Sequence, residues 1–202
     1  MSELKEKIKE AVNKHLDTAI ALSKDLAEHP ELPYQEFESS RKMAEILKEA
    51  GFEVTYPYAG YDTAYCAKLD NGDGPSVALL AEYDALPEIG HGCGHNLHGS
   101  LSVLSGLALM DLKDKFKGKL YVIGTPAEEE NGAKIGMAEQ GIFDDMSMAV
   151  MMHSSSGGYS LPDMDVLSLR CYEVEFFGET AHAVAAPWNG KSALSAARNF
   201  LI

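Results

Sequence analysis

The run Val77-Ala78-Leu79-Leu80-Ala81 is apolar at every position, so neither side of it is suited to water. A strand of this kind needs cover on both faces, which puts it in the middle of a sheet layered with helices. Two further runs, Leu120-Tyr121-Val122-Ile123 and Met148 to Met152, also read as core strands, and helical stretches separate the three. Strands alternating with helices predict an α/β chain with a largely parallel sheet and helices on both faces.

The flanking segments fill in the layers. From Ser2, a candidate N-cap, Leu4, Ile8, Val12, Leu16 and Ile20 recur every four residues among Lys and Glu, which predicts an amphipathic surface helix packed through that stripe. After the turn His29 to Pro33, a second helix is expected over about Tyr34 to Ala50, with Met43, Ile46 and Leu47 inward and Gly51 in the C′ position. Phe52 to Tyr56 alternates as a strand. Thr63 to Leu69 forms another and meets Asn71-Gly72-Asp73-Gly74, a hairpin signal ahead of Ser76 to Ala81. Leu97 to Met110 and Gly132 to Gln140 read as helices.

Near Leu167 the pattern shifts. Residues from Leu169 through Cys171 to Phe177 alternate as a half-buried strand leading past Gly178 to His182, with a helix from about Asn189. The Gly/Ser/Pro-rich stretch Ser154 to Pro162 divides the chain into a first domain, residues 1–162, and a second, residues 163–202.

Composition narrows the partners. Seventeen basic against 31 acidic residues leave a net charge of −14, which repels phosphate backbones and anionic lipid, so neither nucleic acid nor a membrane surface is an expected partner. No apolar run approaches the ~18 residues of a membrane span, and the opening residues lack an apolar signal core. Cys66, Cys93 and Cys171 are too few and too scattered for a disulfide framework, which fits a reducing, cytoplasmic setting.

Three of the expected core strands end on chemically capable residues. Val77 to Ala81 runs into Glu82-Tyr83-Asp84; Leu120 to Ile123 leads to Glu128-Glu129-Glu130; Met148 to Met152 leads to His153. Ligands of open α/β sheets bind outside the carboxyl ends of the strands. A fourth contribution is the loop Gly90 to His98, with Cys93 and His91, His95 and His98 among glycines that let it bend sharply. Thiol, imidazole and carboxylate donors together suit zinc or manganese. Singly, each has an ordinary structural explanation, but their concentration in one place favours a hydrolytic centre of one or two metals. Of the adjacent Glu side chains, one would hold metal and the other act as general base toward a water acidified by it, then pass the proton to a leaving amine. A thiol hydrolase using Cys93 with His95 leaves the Glu pair and His153 without a task.

The strings Ala81-Glu82-Tyr83-Asp84-Ala85-Leu86-Pro87, Ile89-Gly90-His91-Gly92-Cys93-Gly94-His95-Asn96, Gly124-Thr125-Pro126-Ala127-Glu128-Glu129 and Met151-Met152-His153 resemble the amidohydrolase branch of the M20 metallopeptidase family, nearest the p-aminobenzoyl-glutamate hydrolase subgroup. The resemblance implies a zinc-peptidase-like mixed sheet followed by the start of a smaller α+β lid, which serves for dimerisation. It implies Cys93, His95, Glu129 and His153 as ligands of one or two Zn2+ or Mn2+ ions, with Cys93 as a bridging thiolate. It makes Glu128 the general base and acid, and Asp84 the residue that orients a ligand. Phe177-Gly178-Glu179-Thr180-Ala181-His182-Ala183 is similar to the family's lid motif, whose His reaches the site across a homodimer; His182 would polarise the scissile carbonyl. The implied substrate is an N-acyl amino acid, a p-aminobenzoyl-glutamate-like amide or a dipeptide. Three departures stand out. Glu130 replaces a common Gly, Asn96 replaces a common Asp, and the distal His ligand of longer members has no counterpart, with His91 and His98 read as supporting loop residues. The chain is therefore expected to continue beyond Ile202 in the rest of the lid, the closing strands and one more ligand. The competing expectation is a fragment that binds metal weakly or not at all.

Overall fold

The computed structural model describes residues 2–155, 157–158 and 172–202. The chain divides into two units, Met1–Tyr159 and Ser160–Ile202. Most of the stretch in which a domain boundary is expected lies outside the described residues, as does the beginning of the alternating segment, including Cys171.

In the first unit, helices α1 (Ser2–Glu28) and α2 (Phe37–Glu49) precede strands β1 (Glu53–Thr55), β2 (Tyr65–Asp70) and β3 (Ser76–Ala81). Helix α3 (His95–Asp111), β4 (Lys119–Gly124), α4 (Ala133–Glu139) and β5 (Met148–Val150) follow. The five strands form one mixed sheet in the order β1-β2-β4-β3-β5. Strand β3 lies parallel to both β4 and β5, whereas β2 is antiparallel to β4 and to β1.

The period-two alternation of the strands sorts their side chains into two layers. Tyr65, Ala67, Leu120 and Val122 pack with Leu26, Met43, Leu47, Val103 and Leu107 beneath α1, α2 and α3. Cys66, Ala78 and Ile123 face the other way, against Ala133 and Met137 of α4. The sheet thus has helices on both sides, as the apolar core strands require.

The expected hairpin between β2 and β3 does not form, because β4 inserts between them and pairs with both. The turn residues serve β4 instead. The Asn71 backbone N–H donates to Gly118 O at 2.9 Å, and the Asn71 amide donates to Lys113 O and Phe116 O. The apolar run of β3 suits an inner position, with β4 and β5 on its two edges, although Val77, Leu79 and Leu80 are only half-buried, and β5 is an exposed edge strand rather than the core strand its sequence suggests.

Helix α2 begins three residues later than its apolar pattern suggests. The Glu31 carboxylate, in the preceding turn, accepts the N–H groups of Glu38 and Ser39 at 3.1 and 2.7 Å and so caps the first turn. At the far end, Gly51 at φ +102 and the bond from Phe52 N–H to Leu47 O at 3.1 Å close it in a Schellman arrangement.

Helix α1 packs against α3 through a different face from the expected one. Leu4, Ile8, Leu16 and Ile20 are between 39% and 48% exposed, while Ala11, Ala19, Leu22 and Leu26 are buried. Two of those four buried residues are alanines, so the buried face carries smaller side chains than the expected stripe.

In the second unit, Glu179 and Lys191 pair as an isolated antiparallel bridge, and helix α5 (Ala193–Phe200) follows. Ser192 caps α5 by accepting the Ser195 N–H at 3.0 Å, so the helix starts later than Asn189. Among the described residues, 172–177 form no strand, and Tyr172 and Phe177 are exposed. No helix among the described residues is long and apolar enough to cross a membrane.

Candidate metal centre

The ends of three strands and the start of α3 bring the acids and imidazoles of the first unit together. Glu82 and Asp84 leave β3, Glu128 and Glu129 sit in the turn after β4, and His153 follows β5. Gly94, at φ +84, turns the chain into α3, so that His95 and His98 face the strand ends one helical turn apart. Gly99 permits this seating, because a Cβ there would lie 2.6 Å from the Glu82 carbonyl oxygen.

Two groups of donor atoms result: Glu82, His95, His98 and His153 in one, and His95, Glu128 and Glu129 in the other, each within 4.8 Å of one another. His95 belongs to both. Its Nδ1 stands 2.9 Å from Asp84 Oδ1 and 3.0 Å from Asp84 O, which only accept, so Nδ1 carries the proton. The buried Nε2 has no hydrogen-bond partner among the described residues, yet it lies 3.5 Å from Glu82, 3.7 Å from Glu128 and 3.9 Å from Glu129. Burial works against the imidazolium, but the Asp84 hydrogen bond and charge, with Glu82 and Glu128, outweigh it and raise the His95 pKa. Three carboxylates around one imidazole nitrogen call for a positive charge between them, which either a proton on Nε2 or a metal cation supplies. The donor set therefore fits a divalent cation, as imidazole and carboxylate suit zinc or manganese.

The other histidines are equally constrained. His153 Nδ1 donates to Ser154 O at 2.7 Å, which leaves its Nε2 available. His98 Nε2 accepts the Ser154 backbone N–H at 2.8 Å, so its proton is on Nδ1 and points to Glu82 Oε2 at 3.2 Å. Both nitrogens of His98 are thus engaged. His91 lies in the loop, outside both groups of donor atoms.

Glu82 is a buried anion. Burial alone would raise its pKa, but the His98 hydrogen bond, the Lys134 ammonium on Oε1 and the His95 charge bring it down to about 2. Asp84 is lowered as well: burial opposes ionisation, and the bonds from His95 and from the Glu129 N–H, the latter 3.0 Å long, prevail.

Neither group among the described residues includes Cys93. The neighbouring Glu129 carboxylate, with slight burial and the Glu128 and Asp84 charges, pushes the Cys93 thiol pKa up to about 11. A neighbouring cation is what would make it a thiolate. Asn96 donates to Ser23 O at 3.2 Å and to Ser23 Oγ at 3.0 Å, bonds that an ionised Asp could not donate. His182, in the second unit, accepts the Val184 and Ala185 N–H groups at Nδ1, at 3.2 and 3.0 Å, which leaves the proton on Nε2.

Glu82 is expected only as one of the strand-end residues, with no role assigned, and Lys134 is not expected at all. Glu82 carries a signal, since it ends the same strand as Asp84; Lys134 reaches the site from α4 across 52 residues and carries none.

A covered mixed sheet with clustered imidazoles and carboxylates at its strand ends defines an α/β chain with a candidate metal centre. The chain belongs to peptidase family M20/M25/M40, whose profile matches residues 78–200. A Xaa-Arg dipeptidase of Mus musculus is 34% identical over 96% of this chain and 48% of its own length. A p-aminobenzoyl-glutamate hydrolase component of Escherichia coli K12 is 30% identical over 97% of this chain and 44% of its own. Among solved structures, a dinuclear metal binding M20 peptidase of Bacillus subtilis matches 70% of this chain and 42% of its own, at 29% identity and a TM-score of 0.59. An aminobenzoyl-glutamate utilization protein of Klebsiella pneumoniae shares the fold over 95% of this chain and 58% of its own, with a TM-score of 0.74 at 20% identity. The chain spans about half the length of the curated relatives it matches.

Proposed function

We propose that the protein carrying this chain is a metal-dependent amidohydrolase that releases an amino acid from an N-acyl amino acid, a p-aminobenzoyl-glutamate-like amide or a dipeptide. The observation that carries this reading is the buried, unpartnered His95 Nε2 facing three carboxylates. The curated relatives support the substrate class, since one is a dipeptidase and another a component of a p-aminobenzoyl-glutamate hydrolase.

In this reading His95, His153 and Glu129 hold one or two divalent ions, with Cys93 joining them as a thiolate. Such ions, zinc or manganese, would polarise the scissile carbonyl and acidify the attacking water. Asp84 keeps the His95 proton on Nδ1 and so directs Nε2 inward. Glu128, whose side chain is 39% exposed, is the general base: it takes the proton of the attacking water and returns it to the departing amine. The Nε2–H of His182 is suited to donate to the oxyanion, in keeping with a role across a homodimer formed by a lid domain of residues 163–202. A cytoplasmic location completes the reading, on the strength of the scattered cysteines.

Hydrolysis of a panel of N-acyl amino acids, dipeptides and p-aminobenzoyl-glutamate tests it. Glu128→Gln is expected to retain metal and lose about 10²- to 10⁴-fold in kcat. Substantial turnover in that variant would remove Glu128 as the base. Cys93→Ser is expected to lower metal content, and unchanged stoichiometry would remove Cys93 from the ligands.

A further inference from the structure

Glu36 is a fully buried carboxylate in the turn before α2, far in sequence from the strand-end residues. Both of its oxygens are used. Oε1 accepts the Ala127 N–H at 2.8 Å, and Oε2 accepts the Thr63 hydroxyl at 2.9 Å. Ala127 stands at φ +59, a left-handed conformation that residues with a Cβ adopt only where their surroundings impose it. Two residues on, the Glu129 N–H is held by Asp84 Oδ2 at 3.0 Å. The backbone on both sides of Glu128 is therefore gripped by buried acids, Glu36 before it and Asp84 after it. Behind them the turn is closed by Gly132 N–H to Ala127 O at 2.9 Å and by Ala133 N–H to Pro126 O at 3.1 Å.

We propose that Glu36 is a positioning residue for this site: by holding Ala127 left-handed it sets the direction in which Glu128 and Glu129 leave the turn. The inference rests on the proposed roles of those two acids. Glu36 touches no reacting atom and acts only through the turn. Its substitution should therefore alter the acids' geometry even where the fold survives.

The test compares Glu36→Gln, Glu36→Ala and the double variant Glu36→Ala with Ala127→Gly, all in the full chain. Gln can turn its amide oxygen to the Ala127 N–H and its amide nitrogen to the Thr63 hydroxyl, which accepts as well as donates. Glu36→Gln should keep kcat within about twofold of the parent, whereas Glu36→Ala should lose about 10- to 100-fold in kcat with a smaller change in KM. The visible absorption of bound Co2+ should change in Glu36→Ala and stay unchanged in Glu36→Gln. Ala127→Gly should recover part of the loss, since Gly adopts this φ without strain. If Glu36→Ala does not fold, Glu36→Asp, one methylene short of Ala127, should shift the Co2+ spectrum in its place. A parent-like kcat and Co2+ spectrum in Glu36→Ala or, where that does not fold, in Glu36→Asp would overturn the proposal. So would damage in Glu36→Gln equal to that in Glu36→Ala. Failure of the functional reading is distinguishable, because it would show in the parent as absent Co2+ binding or in Glu128→Gln as retained turnover.

Discussion

His95 and His153 each donate Nδ1–H to an oxygen and leave Nε2 for the cluster, whereas His98 commits both nitrogens to Glu82 and Ser154. The same residue type thus has different capacities at positions three apart, decided by one backbone N–H. The charge of Glu82 is balanced in turn by Lys134. Lys134→Met should leave a buried oxygen without a donor and cost about 1–3 kcal/mol of stability, with solvent reducing the loss because the Lys134 side chain is 25% exposed. Saturating Mn2+ should restore more stability to this variant than to the parent, as Glu82 is then free to face a cation. Urea unfolding with and without Mn2+ measures both, and a variant as stable as the parent would contradict the role given to Lys134. At this scale the strand-end acids and the Cys-His loop were legible because local sequence placed them. Glu36 and Lys134 were not, since their partners lie 91 and 52 residues away and no periodicity marks such pairs.

Runs of apolar residues located β3, β4 and β5, and Gly51 located the end of α2, because an apolar run and a left-handed cap are local signals, although β5 lies at the sheet edge with Met148 and Ala149 exposed. Pairing is a choice among distant partners, which is why a good turn signal at Asn71 to Gly74 did not yield a hairpin once β4 offered a better-covered neighbour. The face that α1 buries differs from the expected one for a related reason: its larger apolar residues form the regular stripe, but Ala11, Ala19, Leu22 and Leu26 are the buried set. That contact is pinned at one end by Asp111, whose carboxylate takes Lys14 at 2.7 Å and His15 at 2.9 Å. Burial works to raise the Asp111 pKa, but the bonds and charges of Lys14 and His15 together outweigh it and lower it below the ordinary 3.8. A depressed folded pKa contributes stability above the unfolded value, which is lost as pH falls through the folded one. Asp111→Asn should therefore cost about 0.2–1 kcal/mol at neutral pH. The gap to the parent should hold down to the ordinary carboxylate range and close below it. Paired unfolding curves across pH test this, and a gap that widens in acid would contradict it.

At the scale of the molecule, a family profile over residues 78–200 and a sheet shared with solved M20 structures set the scaffold, and the cluster at its strand ends gives that scaffold a candidate chemistry. The chain covers about half the length of its curated relatives, so activity belongs to the protein that carries it, while the donor atoms of His95, Glu129 and His153 lie within the first unit itself. The decisive measurement is the divalent metal content of the dialysed full chain beside its His95→Ala and Glu128→Gln variants. A metal centre built on His95 predicts one or two zinc or manganese ions per chain in the parent, retained in Glu128→Gln and lost in His95→Ala. A parent that holds no ion, or a His95→Ala variant that holds as many as the parent, would contradict it.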